Sequence, residues 1–192
     1  DGTGVTGSVT NGLVTVASAS THSINGWANA TPPAYVGANP VSVDNLERIM
    51  HDIRWSLNPA NISIDITGLI SGQLYSVQLL FSENGSASNR RWDIGVDGIL
   101  AVDDYSTNGT TLSVGSVYSG VFDPGGDGTL NILMGIDPLP GDPNNTVAGP
   151  APPEDHNPIL NGVIIHTVPE PVSAALIGLG LFSMLLTRRR RK

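Results

Sequence analysis

The chain contains no cysteine, so neither a disulfide framework nor a thiolate metal site is available to it. Its stability must come from packing. Positive charge is almost as scarce: the first 171 residues carry only Arg48, Arg54, Arg90 and Arg91 against seventeen acidic residues, a net of −13. A body this acidic repels phosphate backbones and has no basic stripe to offset the repulsion, which excludes nucleic acid as a partner. Catalytic signatures are missing too. There is no Gly-x-Ser-x-Gly elbow, no His-Glu-x-x-His helix and no phosphate loop. Gly125-Gly126-Asp127-Gly128 falls between two strand patterns, with no helix behind it to point amides at an anion. Carboxylates are plentiful, but a glycosidase pair must face each other about 5 to 9 Å apart across a cleft, and no pattern here specifies one. The expectation is a protein that is not an enzyme.

What is present has a period of two. Ile62, Ile64 and Ile66 alternate with polar residues, and so do Tyr75, Val77, Leu79 and Phe81 beyond Ser71-Gly72. Trp92, Ile94 and Val96 lead to Asp97-Gly98, a pair suited to the positive φ angles of a type I′ hairpin. Val117 to Phe122, a Pro-Gly-Gly-Asp-Gly connection, and then Leu130, Ile132 and Met134 repeat the arrangement. Ile159, Val163 and Ile165 supply a last strand, and Val9, Leu13, Val14 and Val16 flank Asn11-Gly12 as a further hairpin. One segment breaks the period: Leu46, Ile49, Met50 and Ile53 fall at helical spacing, with Asp44 as N-cap and Glu47 three residues on. Strands patterned on a single face must bury it against a second sheet. The expected fold is therefore all-β, an antiparallel β-sandwich with one short helix. Residues 137–158 hold seven prolines and no periodicity, the composition of a long loop.

The end of the chain is different in kind. Val172 to Thr187 are sixteen residues without a charge, followed by Arg188, Arg189, Arg190, Arg191 and Lys192. As a helix this run is about 24 Å long, short for a hydrocarbon core of roughly 30 Å, and it spans when the flanking arginines snorkel. Cations beside a spanning segment stay cytoplasmic, which leaves residues 1–171 on the other face of an inner membrane. Pro169 and Pro171 stop helix from propagating upstream and leave Val168 to Pro171 as an extended strip. Val-Pro-Glu-Pro, an apolar helix and an arginine cluster, in that order, resemble the PEP-CTERM sorting signal of exosortase substrates. The resemblance covers the last 25 residues or so. It implies a bacterial protein exported with a single C-terminal transmembrane helix, recognised at Pro169, Glu170 and Pro171 by an exosortase-type membrane processing enzyme, and passed to the cell surface or an exopolysaccharide matrix. The chain divides accordingly into a body, 1–167, and a sorting signal, 168–192.

The body offers one concrete binding chemistry. A sugar site combines aromatic platforms for C–H faces with polar groups for hydroxyls. Aromatics are only 5 % of this chain, so their appearance beside polar groups outside the alternating strands carries weight. Tyr35, His51, Arg54, Trp55, Tyr105, Asp155 and His156 are the candidate carbohydrate ligands, whereas Trp92 reads as core. Asp123, Asp127 and Asn131 offer oxygen ligands of the kind Ca²⁺ takes, but Asp and Gly are also what tight turns require. His51-Asp52 and Asp155-His156 read as surface groups, not zinc ligands. No metal or cofactor is expected.

A second resemblance covers Asn61 to His166. Leu79-Leu80-Phe81-Ser82-Glu83, Trp92-Asp93-Ile94-Gly95-Val96-Asp97-Gly98 and Asn157-Pro158-Ile159-Leu160-Asn161-Gly162 are similar to three strand signatures of malectin and malectin-like domains. The resemblance implies a jelly-roll-like sandwich that in some relatives grips glucose-type disaccharides with loop aromatics and an Asp just ahead of the final strand. Asp155 is nearest to that position, with His156 next to Asn157-Pro158. The sequence thus points to a surface-sorted sandwich that binds polysaccharide. The alternative is a structural or adhesive matrix protein without specific sugar binding.

Overall fold

A computed structural model describes residues 5–24, 40–56, 60–82, 90–106, 115–135 and 157–169. Among them the period-two segments become strands of antiparallel sheets. The largest sheet has the order β1 (Val5–Asn11), β2 (Val14–Ser20), β5 (Ile62–Thr67), β10 (Leu130–Gly135), β7 (Arg91–Val96), β8 (Ile99–Ser106). Facing it is a sheet of β12 (Gly162–Thr167), β6 (Tyr75–Phe81) and β9 (Ser116–Phe122). A small third sheet joins β11 (Ile159–Leu160), β4 (Ile53–Trp55) and β3 (His22–Ile24).

Alternation decides what lies between them. Ile62, Ile64, Ile66, Val77, Leu79, Phe81, Trp92, Ile94, Leu130, Ile132, Met134 and Ile159 are all essentially sealed from solvent and form one continuous core. Their strand partners on the other face, such as Asp65, Thr67 and Asn131, stay in water. Each side chain of this size contributes about 1.5 to 3 kcal/mol on burial, which makes this core the main favourable contribution in a chain without disulfides. Trp92 is core, as expected, with Phe81 edge-on to it at 5.3 Å. Asp97 and Gly98 take φ of 50° and 75°, the left-handed pair that a type I′ turn demands.

Three expectations need correcting. The Pro-Gly-Gly-Asp-Gly connection does not close a hairpin: β9 pairs with β6 while β10 pairs with β5 and β7, so the connection crosses from one sheet to the other. The helix α1 spans Pro40–Met50, beginning upstream of Asp44 and ending before Ile53. Pro40 pre-sets the φ angle of a first helical turn, which puts Asp44 inside the helix, where it cannot be the N-cap. Ile53 belongs to β4, where it pairs with Ile24 and is buried in the core. The final strand is also two strands. Asn161 separates β11 from β12, and its side chain explains the break: Oδ1 accepts from Ser82 N at 2.6 Å, while Nδ2 donates to Met50 O and Asp52 O at 3.3 and 3.0 Å. One amide therefore ties the end of α1 to the end of β6. The strand that carries it must switch sheets at that point.

Antiparallel register fixes which connections share an end of the sandwich. The β1–β2, β5–β6, β7–β8 and β9–β10 turns lie at one end, and β12 leaves the sandwich there after Thr167, opposite Tyr75. The helix, the small sheet and the start of β7 lie at the other. Val168 is still held by the exit end, its N–H donating to Leu74 O and its carbonyl accepting from Gln73 Nε2, both at 2.9 Å. Among the described residues no helix is long and apolar enough to cross a membrane. The spanning segment expected at Val172 to Thr187 lies outside the described residues.

Candidate functional site

The helix end gathers the polar and aromatic residues. Pairing of β3 with β4 sets His22 opposite Trp55, and the two rings stack at 4.1 Å with an 18° tilt, a contact worth about 0.5 to 1.5 kcal/mol beyond its area. The stack is locked from below. Thr21 Oγ1 bonds His22 Nδ1 at 2.8 Å, Ser20 Oγ donates to His22 O at 2.8 Å, and Thr21 N donates to Ser56 Oγ at 3.0 Å. Ser56 Oγ in turn donates to Asn61 O at 2.9 Å. One face of the Trp55 ring is thereby taken by imidazole, and part of its remaining surface packs on the core.

Arg54 points to the other side of β4, where its guanidinium lies against Gly7; any side chain at Gly7 would collide with it. Arg90 Nη1 donates to Asn157 O at 3.2 Å, joining the start of β7 to the segment that enters β11. His51 follows the last turn of α1 with Nδ1 3.7 Å from Asp52 Oδ1. All four arginines of the body, Arg48, Arg54, Arg90 and Arg91, therefore sit at this end. Tyr105 lies on β8 opposite Trp92, in an aromatic group with Phe81 at 5.0 Å, Trp92 at 5.7 Å and Tyr118 at 6.4 Å. Burial holds the phenols of Tyr105 and Tyr118 above their ordinary pKa, because the phenolate would lose its hydration.

The sequence-derived ligand set thus divides. His51, Arg54 and Trp55 lie at the small sheet and helix terminus, with Arg54 and Trp55 on opposite faces of β4, and Tyr105 lies on β8 toward the same end, set into the aromatic group. Tyr35, Asp155 and His156 lie outside the described residues. Sequence reasoning missed His22, whose role follows from a strand pairing across 33 positions, and it did not foresee how Arg90 is held. The signal for His22 was a short alternating Thr-His-Ser-Ile run between two polar stretches.

Beside Tyr105 is a feature with no sequence precedent. β7 and β8 lose register between Trp92 and Ile94, so Asp103 and Asp104 together oppose the single Asp93 in a bulge. Asp104 adopts a φ of 53°, and its N–H donates to the buried Asp93 Oδ1 at 2.9 Å. Ligand atoms of Asp93, Asp103 and Asp104 lie within 4.8 Å of one another. Three hard carboxylate oxygens suit Ca²⁺ or Mg²⁺ rather than a soft metal. The acids noted in the sequence do other work. Asp123 Oδ1 accepts from Gly125 N at 3.0 Å, and Asp127 accepts from Thr129 N and Oγ1 at 3.1 and 2.8 Å. They fold the β9–β10 turn, and with Asp97 and Asn131 they line a shallow open depression of about 390 Å³ at the exit end.

No family model and no curated protein matches the chain. Solved structures do. The extracellular domain of ANXUR1 from Arabidopsis thaliana aligns with a TM-score of 0.56 at 14 % identity, over 85 % of this chain and 40 % of that one. The ANX2 ectodomain from Arabidopsis thaliana gives 0.54 at 15 %, over 85 % and 42 %. A chain of the complex of plant peptide RALF23 with FER and LLG2 gives 0.52 at 18 %, over 72 % and 37 %. This chain spans about two fifths of the length of those chains. The likeness is one of fold, and it supports the malectin-like sandwich implied by the three strand signatures.

Proposed function

We propose that the body is a carbohydrate-binding module whose ligand end is the helix end, and that residues 168–192 are a sorting signal. The observation that carries the reading is the placement of the polar and aromatic groups. His22, the 51–55 stretch with His51, Arg54 and Trp55, Arg90 and Tyr105 come from four separate segments, yet they lie toward one end of the sandwich, opposite the point where the chain leaves. In sequence, segment 25–39, with Tyr35, joins β3 to α1, and Asp155 and His156 directly precede Asn157. The net negative charge suits a neutral polysaccharide: guanidinium groups donate to hydroxyls, and the stacked Trp55 and His22 rings offer an apolar edge to C–H faces. The reading assigns no catalytic step.

In this proposal the chain is an exported bacterial protein. The apolar run from Val172 to Thr187 holds it in the inner membrane with Arg188 to Lys192 in the cytoplasm, and an exosortase-type enzyme recognises Pro169, Glu170 and Pro171 before release to the surface or matrix. A second reading, a structural or adhesive matrix protein without specific sugar binding, is favoured by one observation. Trp55 and Tyr105 are both engaged in packing, which leaves less free ring surface than a sugar platform uses.

Affinity electrophoresis of the protein through gels containing a panel of neutral and acidic polysaccharides separates the two. Retardation by one of them, reduced at least tenfold in apparent affinity by Arg54→Gln and Trp55→Ala while circular dichroism stays unchanged, supports the module. Equal mobility of the native protein in every gel supports the structural reading. One neighbour is solved with the peptide RALF23, so a peptide competitor belongs in the same assay. For the tail, mass spectrometry of the C-terminus from cells distinguishes an end near Pro169 from an intact Lys192.

A further inference from the structure

The exit end is decorated with apolar side chains that none of the described elements covers. Leu13 at the β1–β2 turn is 87 % exposed, Ile70 in the β5–β6 turn 67 % and Ile99 at the β7–β8 turn 71 %. Val9, Leu74 and Val121 stand nearby on the same end, more than a third of each in solvent. Single exposed apolar residues need no explanation. Here six of the nine large apolar residues exposed among the described residues occur on one end of the sandwich, spread over all four of its turns and the strands beside them.

The chain itself says what this end faces. Val168 is pinned to the β5–β6 turn through Leu74 O and Gln73 Nε2, and the uncharged run begins only four residues later, at Val172. Fully extended, four residues span at most about 14 Å. If Val172 starts the membrane segment, Val168 and the turns beside it are held within that distance of the hydrocarbon edge, close to the depth of the headgroup layer. No longer linker allows the body to swing the turns away.

We propose that the exit end is a membrane-docking surface, with Leu13, Ile70 and Ile99 inserted among lipid headgroups while the chain is anchored. The inference rests on the anchor reading of residues 172–192. Charge narrows the lipid. Among the described residues the four turns carry Asp97, Asp123 and Asp127 and no Lys or Arg, so the surface suits zwitterionic lipid and is repelled by anionic lipid. Docking of this end leaves the small sheet, Arg54 and Trp55 directed away from the bilayer. It also sets the Pro169–Pro171 strip at the membrane surface, where an intramembrane processing enzyme can reach it.

The test uses the full chain reconstituted into phosphatidylcholine vesicles, with Leu13→Trp, Ile99→Trp and, as a control at the opposite end, Val117→Trp. All three positions are largely exposed, so the variants keep the core. Flotation reports the anchor, and quenching by brominated lipid reports docking. The expected result is co-flotation, with the added emission of Leu13→Trp and Ile99→Trp quenched at least twofold more than that of Val117→Trp. The difference should shrink when a third of the lipid is replaced by phosphatidylglycerol at low salt. Co-flotation with equal quenching at all three sites would overturn docking and leave the anchor standing. Absence of co-flotation would overturn both. A blue shift at Leu13→Trp that grows with protein concentration and ignores brominated lipid would assign the surface to a second copy of the chain instead.

Discussion

The two ends of the sandwich are built by different means. At the exit end, order comes mainly from tight turns: Asp97-Gly98 and Gly68 take left-handed backbone geometry, and the Asp123–Thr129 loop is closed by short Asx bonds, with Asp97 Oδ1 to Asn131 and Gln73 Nε2 to Val168 as the longer side-chain ties. At the helix end, order comes from side chains reaching across long sequence distances, with Asn161 joining α1 to β6, His22 stacked on Trp55, and Arg90 bonded to the carbonyl of Asn157. Turns are rigid and cheap to specify locally. Long-range side-chain ties create a surface whose chemistry can be varied without disturbing the sheets, which is where binding residues are expected.

The largest effect should come from breaking the helix end at its tie. Asn161→Ala removes an acceptor for Ser82 N and a donor to Met50 O and Asp52 O. Unsatisfied buried groups cost about 1 to 3 kcal/mol each, so urea denaturation should show a loss of about 2 to 4 kcal/mol. Hydrogen exchange should rise first in α1, β4 and β11 and leave the exit turns unchanged. A uniform rise across both ends would mean that the ends are not separate.

The matching break at the exit end is Gly68→Ala. Gly68 has a φ of 80°, and a Cβ there would run into Leu13 O, whereas Gly12, with a φ of 64°, has nothing near such an atom. Left-handed geometry alone costs about 1 to 2 kcal/mol. Gly12→Ala should therefore cost about 1 kcal/mol and Gly68→Ala clearly more, read from the same denaturation curves. Equal costs would show that the β1–β2 hairpin and the β5–β6 connection do not press on each other.

A subtler contrast lies in pH. Asp127 is held below its usual carboxylate range by the Thr129 hydroxyl and amide. Its bonded form favours the native state above the unfolded pKa, and that contribution fades as acid takes the solution below 3.8 and through the folded value. Being fully exposed, the group should matter only slightly. Tyr105 and Tyr118 are held above their ordinary value by burial, so their contribution is complete below pH 10.0 and is lost as pH rises through the folded values. Melting curves of Asp127→Asn should lose a small acid-side dependence, and those of Tyr105→Phe an alkaline one. If either variant keeps the native pH profile, that group does not contribute.

How far the sequence carried this picture depends on range. Ile62, Ile64 and Ile66, or Leu130, Ile132 and Met134, announce their burial because a strand alternates by itself, and the hairpin at Asp97-Gly98 follows from two adjacent residues. Pro40 and Asp44 are both acceptable near the first turn of a helix, so the pattern alone does not fix where α1 starts; where it ends is hidden because Ile53 keeps the helical spacing and only its pairing with Ile24 places it in β4. The split of β11 from β12 depends on where the Asn161 side chain finds its partners, over a hundred residues away for Met50 and Asp52. The Asp93, Asp103 and Asp104 grouping requires a bulge between two strands, invisible to a period-two pattern. For the ligand set, residue type pointed to Arg54, Trp55 and Tyr105, but only pairing reveals that His22 covers one Trp55 face and that Tyr105 lies among Phe81, Trp92 and Tyr118.

The division of the molecule into a ligand end and an exit end can be tested in one experiment, hydrogen exchange of the full chain with and without the polysaccharide that retards it most. The account predicts protection confined to β3, β4, β11, the end of α1 and the start of β7. Protection centred on residues 68–72 and 123–129, or no protection anywhere at saturating polysaccharide, would contradict it.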